Sequence, residues 1–160
     1  MEEDVFGMSD EELNGVMEYE YKRVIDSEIL KYGFKVEVKD KNFTHWDVEM
    51  TAPEDSDYKG AKYKLTFDFF KDYPLKNPKI KFVTDIYHCN VDDNKELKVN
   101  WMMKGMKIDY IMPRLLTLFY LQDTSVDKDS EKCKLYEENK EEFKKNIQKS
   151  VEENQALWNK

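Results

Sequence analysis

Apolar residues recur along this chain with two different periods, and the change between them falls at Gly33. Before it, Leu13, Val16, Met17, Val24, Ile25 and Ile29 follow spacings of three, four and seven, which predicts one apolar face on a helix. Ser9-Asp10-Glu11-Glu12 precedes them with the form of a capping box, and Gly33 is placed to stop the helix. After Gly33 the period is two. Phe34/Val36/Val38, Trp46/Val48/Met50, Tyr63/Leu65/Phe67/Phe69 and Ile80/Phe82 each alternate with polar residues, and turn-forming segments at 39–42, 53–60 and 71–78 separate them. Four short strands in a row predict an antiparallel meander with one packed and one wet face.

Residues 91–109 have no regular period. A helix is predicted over Ile111–Leu121 with Pro113 near its start. Tyr136, Phe143, Ile147, Val151 and Trp158, spaced among Glu and Lys, predict one or two amphipathic helices broken near Asn139 or Asn146. The predicted class is α+β: an N-terminal helix, a four-stranded antiparallel meander and C-terminal helices, in a single domain over residues 1–160 with a flexible tail at 1–8.

Charge narrows the function classes. The net charge of −8 argues against nucleic acid or an anionic membrane as partner. No apolar run reaches the length of a membrane span. The two cysteines, Cys89 and Cys133, cannot build a disulfide framework and suit a reducing compartment, cytoplasmic or nuclear. His88 next to Cys89 is not a catalytic pair by position, since neighbours in extended chain point to opposite faces. No zinc spacing, phosphate-cradling glycine loop or EF-hand follows from the sequence, so no metal and no cofactor is expected. Asp92-Asp93-Asn94 reads as a solvated turn, and Met102, Met103 and Met106 as core packing.

The segment Tyr73–Lys98, YPLKNPKIKFVTDIYHCNVDDNKELK, resembles the core of the ubiquitin-conjugating enzymes. Tyr73-Pro74 and Pro78 match that family's Tyr-Pro…Pro turn, and His88-Cys89-Asn90 stands where the family has His-Pro-Asn. Trp46-Asp47-Val48, Tyr58-Lys59-Gly60, Thr84 and Tyr87 fall in family register, and EEFKKNIQKSV is similar to its last helix, most of all in the enzymes that conjugate the Nedd/Rub-type modifier. The resemblance spans nearly the whole chain. It implies a cysteine thioester to a modifier eight residues past the motif Asn, with that Asn stabilising the oxyanion of transfer. Asn90 matches the Asn, but the eighth residue is Lys98.

A free lysine amine, with a pKa of about 10.4, is protonated at neutral pH and forms an amide rather than a thioester when acylated. Lys98 is therefore a degenerate nucleophile position, with three explanations open. The nucleophile is naturally lost, it has been replaced by engineering, or Cys89 is the working thiol. Other departures accompany it: Met106 stands where the family has tryptophan, and the first helix carries seven acids against three bases between Ser9 and Lys31. Asp127 or Asp129 corresponds to the acidic residue the family places near the incoming lysine. The implied function is that of a conjugating-enzyme-like protein, non-catalytic as written, in a ubiquitin or ubiquitin-like pathway. Its implied partners are the modifier, and beyond it an activating enzyme, a ligase or an active conjugating enzyme. The competing class is an active conjugating enzyme altered at 98 or using Cys89. A third, a pure interaction module of the RWD type, is disfavoured by His88, Asn90 and the long C-terminal helices.

Overall fold

The structure is a computed structural model, and it describes residues 7–158. Helix α1 (Asp10–Asp26) begins with the capping box read from the sequence: Ser9 Oγ accepts from Glu12 N–H at 3.1 Å, and Glu12 Oε1 accepts from Ser9 N–H at 3.1 Å. Its buried stripe is Leu13, Met17, Glu20 and Val24, while Val16 and Ile25 stay exposed, unlike the predicted face. A carboxylate sits in the stripe because it has partners there: Tyr73 Oη donates to Glu20 Oε2 at 2.9 Å and Arg23 Nη1 to Oε1 at 3.2 Å. The helix also ends earlier than Gly33. Ser27 turns extended and donates its hydroxyl to Val24 O at 2.7 Å, and a five-residue 3-10 turn, Glu28–Tyr32, follows. Gly33 caps that turn at φ +97°, and a Cβ there would lie 3.0 Å from Thr51 O.

Strands β1 (Phe34–Glu37), β2 (His45–Thr51), β3 (Lys62–Asp68) and β4 (Lys79–Phe82) form one antiparallel sheet in sequential order, as predicted. The register places Trp46 opposite Phe67, Val48 opposite Leu65, Met50 opposite Tyr63, and Phe67 opposite Ile80, all buried on one face. Because a one-residue slip would turn that whole row to water, the hydrophobic pattern alone specifies the pairing. Glu49, Lys64 and Lys79 point to the other face, where His45 Nδ1 and Asp68 Oδ1 approach to 2.6 Å.

Helix α2 (Ile108–Leu115) covers the apolar face with Ile108, Ile111, Met112 and Leu115, then tightens into a 3-10 turn over Leu116–Phe119. It starts three residues before the predicted Ile111, so Pro113 falls inside it and not near its start. The residue before it, Lys107, makes no side-chain cap. The first free amide, Ile108 N–H, instead donates to Tyr73 Oη at 2.9 Å, a cap supplied from 35 residues upstream. Helices α3 (Glu131–Glu138) and α4 (Lys140–Trp158) break at Asn139, whose Oδ1 accepts from Glu142 N–H at 3.1 Å. Asn146, the other predicted break, lies inside α4 and bonds Tyr87 Oη at 3.3 Å. Of the predicted tail, residues 1–6 lie outside the described residues, and Met8 is tied down by its N–H to Lys71 O at 2.9 Å. Met103 is exposed, whereas Met102 and Met106 are partly buried against the core as expected.

Two side chains of α4 fasten it to the first residue of β3, Trp158 through Nε1 to Lys62 O at 3.1 Å and Asn154 on both sides of the same residue. The buried Asn154 amide accepts from Lys62 N–H at 2.9 Å and donates to Lys62 O at 2.7 Å, at the first residue of β3. Replacing Asn154 by Ala leaves the Lys62 amide unpaired and is expected to cost about 1–3 kcal/mol in chemical denaturation. A loss of only a few tenths would mean that water replaces the side chain without penalty.

Candidate functional site

The chain after β4 runs without regular structure past His88, Cys89 and Asn90, and is held by side chains rather than by a ladder. The Tyr58 ring packs against the His88 ring, with centroids 6.0 Å apart and planes inclined by 23°, and Tyr58 donates its hydroxyl to Tyr87 O. His88 is fully buried and both ring nitrogens are engaged: Nε2 faces Leu118 O at 2.6 Å, and Nδ1 accepts from Asn90 N–H at 2.9 Å. That pairing requires the neutral ring with its proton on Nε2. Burial accordingly pushes the His88 pKa down to about 4. Neither nitrogen is left for Cys89.

Asn90 is equally occupied. Its Nδ2 donates to Asp123 O at 2.9 Å and its Oδ1 accepts from Asp123 N–H at 3.0 Å. Cys89 N–H donates to Gln122 Oε1 at 2.8 Å, and Gln122 Nε2 donates to Tyr58 Oη at 2.8 Å. A proline at 89 would have no N–H to offer Gln122. The Cys89 thiol is buried and its pKa is pushed well above the ordinary range, chiefly by burial and then by Cys133 beside it.

Residues 91–98 fold back as a flap against β4. Phe82 N–H donates to Lys95 O at 2.7 Å, Leu97 N–H to Ile80 O at 3.0 Å, and Asp92 N–H to Glu96 O at 3.0 Å. Asp92 Oδ1 accepts from the amides of Asn94 and Glu96, so the Asp92-Asp93-Asn94 stretch is a turn closed on itself. The flap returns Lys98 to the motif: its N–H donates to Asn90 O at 2.7 Å. Lys98 Nζ, half exposed, lies 3.7 Å from Glu96 Oε1 and 3.9 Å from Asp92 Oδ2. A cleft of about 510 Å³ opens between Lys98 and Cys89 on one wall and Asp127, Asp129 and Lys132 on the other. Both candidate acids line it. Lys132, half buried, donates to Val91 O, and burial lowers its pKa.

The four residues singled out from the sequence thus meet at one place, with Lys98 and Cys89 lining the cleft and His88 and Asn90 buried beneath Cys89. Sequence reading missed Gln122 and the backbone of Leu118 and Asp123, which hold the motif from about 30 positions away. Main-chain acceptors leave no mark in a sequence. Gln122 had none either until Cys89 N–H was seen to need an acceptor.

The ubiquitin-conjugating enzyme family model matches residues 16–151. The chain belongs to the ubiquitin-conjugating enzyme family. Among curated relatives, it is similar to a probable ubiquitin-conjugating enzyme E2 L460 of Acanthamoeba polyphaga mimivirus, 28% identical over 145 residues, which covers 87% of this chain and 92% of that protein. It is 30% identical over 132 residues to the human ubiquitin-conjugating enzyme E2 K, covering 78% of this chain and 66% of that one. With the ubiquitin-conjugating enzyme E2 3 of Arabidopsis thaliana it shares 29% over 119 residues, 72% of this chain and 79% of the other. Membership places the chain among proteins that work with ubiquitin and with activating enzymes and ligases. Among the described residues, no group of three metal-ligating side chains converges.

The buried neutral histidine carries a pH signature. The unfolded chain protonates His88 near its ordinary 6.5, the folded chain only near 4, so between these values the unfolded state binds more protons. Stability present above pH 6.5 is lost on acidification toward pH 4, by up to about 3 kcal/mol from this residue. His88→Gln should flatten that part of the stability–pH curve relative to the parent chain. An unchanged slope would assign the acid loss to other groups.

Proposed function

We propose that this chain is a ubiquitin-conjugating-fold protein without thioester chemistry of its own, acting in a ubiquitin or ubiquitin-like pathway by binding. It holds the modifier, or an active conjugating partner, on the conjugating-enzyme scaffold while Lys98 occupies the degenerate nucleophile position. The observation that carries this reading is the flap: the Lys98 amide bonds Asn90 O, which brings an ammonium group, not a thiol, to the mouth of the cleft. Two further features support it. The Asn90 side chain spends both its polar atoms on Asp123, and the Cys89 thiol is buried and held protonated. The α1 surface, rich in carboxylates, opposes docking on an acidic activating enzyme of the usual kind. The two reduced cysteines suit the cytoplasm or nucleus.

A second reading rests on the completeness of the frame. His88, Asn90 and the flap are all in place, as in an active enzyme whose nucleophile was exchanged for lysine.

The two separate in a charging assay with activating enzyme, ATP and a panel of modifiers, resolved on gels with and without thiol. The binding reading expects no thiol-sensitive adduct from the chain as it is, and saturable non-covalent binding of a modifier or conjugating partner by titration. A thiol-sensitive adduct abolished by Cys89→Ala would overturn it. Charging of a Lys98→Cys variant at a rate near that of an active family member favours the second reading. If that variant stays at least tenfold slower, the loss extends beyond residue 98.

A further inference from the structure

The only two cysteines of the chain, 44 positions apart, meet under the floor of the cleft. Cys133, on α3, has its Sγ 3.5 Å from the carbonyl oxygen of Cys89. Both residues are buried, at 6% and 1% exposure, and both are free thiols. The Cys133 side chain is near enough to raise the Cys89 pKa directly, by hydrogen bonding and by charge, after the larger effect of burial. Each residue also borders a different opening. Cys89 lines the Lys98 cleft, and Cys133 lines a second cavity of about 280 Å³ with Thr124, Lys128, Lys134, Glu137 and Glu138.

We infer that Cys89 and Cys133 form a reversible disulfide site, closed by two-electron thiol oxidants of the peroxide class. Cys133 is assigned the first reaction because the cavity it lines, with Lys128, Lys134, Glu137 and Glu138 around it, has room for a small oxidant. Its thiolate attacks one peroxide oxygen, the O–O bond breaks, hydroxide leaves and a sulfenic acid forms on Cys133. The Cys89 sulfur then attacks that sulfenic sulfur. The S–S bond forms, the S–O bond breaks, and the Cys89 proton leaves with the hydroxyl as water. One peroxide is reduced and two thiols are oxidised, so no other reactant is needed. The bond joins the His88–Asn90 floor to the first turn of α3, and so fixes one wall of the cleft against the other. It does not depend on whether the cleft transfers a modifier.

The test uses the reduced full-length chain, folded by circular dichroism, treated with hydrogen peroxide and then alkylated and digested without reductant. Mass spectrometry is expected to find a Cys89–Cys133 cross-linked peptide, two hydrogens lighter than the separate thiol peptides, in a monomer, and lost on adding thiol. The oxidised chain should also melt at a higher temperature than the reduced one, since the bond closes a long loop in the unfolded state. Cys133→Ser should leave Cys89 unmodified at the same dose. Free thiols throughout, sulfinic acid on one cysteine with no cross-link, or a link that forms only in denaturant would each overturn the proposal and leave the pair as core packing. If the serine variant does not fold, the peptide map of the parent chain under native conditions still decides.

Discussion

The amide of Asn90 is the fastening on which the site depends. Its two bonds to the Asp123 main chain join the segment after β4 to the stretch after the Leu116–Phe119 turn, two irregular pieces of chain with no ladder between them. His88 repeats the connection through Leu118 O, and Cys89 N–H through Gln122. Buried polar groups are costly unless paired, so this set is either complete or unfavourable. Here every member has a partner. The flap that carries Lys98 then has a rigid floor to close on.

The same arrangement holds the motif independently of the side chain at 98. The hydrogen bonds that hold His88, Asn90 and the flap do not pass through the side chain at 98, which adds only ion pairs to Asp92 and Glu96. Lys98 contributes its backbone to the fold and leaves its ammonium group, half exposed, beside two partly exposed carboxylates at 3.7–3.9 Å, where ion pairs add little stability. The frame around His88 and Asn90 therefore places little demand on which side chain stands at 98.

Much of the architecture was legible. Trp46, Val48 and Met50 on one strand, and Tyr63, Leu65 and Phe67 on the next, alternate so cleanly that pairing and burial follow from the pattern. The misreadings have physical causes. Val16 and Ile25 are apolar but lie at the margin of α1, while Glu20 is acidic and buried because Tyr73 and Arg23 meet its oxygens. The start of α2 was hidden because its cap comes from a distant tyrosine and not from a neighbouring Ser or Asp. At the site, the motif residues could be named from spacing alone. Their engagement could not, since Leu118 O, the Asp123 main chain and the Cys133 contact arise only when distant segments are brought together.

The Tyr73 hydroxyl has a role wider than either of its bonds. It donates to Glu20 on α1 and accepts from the first amide of α2, so one oxygen reports the position of both helices to each other. Arg23 closes the circuit, binding Glu20 on its own helix and Asp109 on the other at 2.9 Å. A protein that settles on α1 and shifts it by a fraction of a hydrogen-bond length therefore loosens or tightens the Ile108 amide. Its hydrogen–deuterium exchange rate becomes a built-in gauge of occupancy on a surface it never touches.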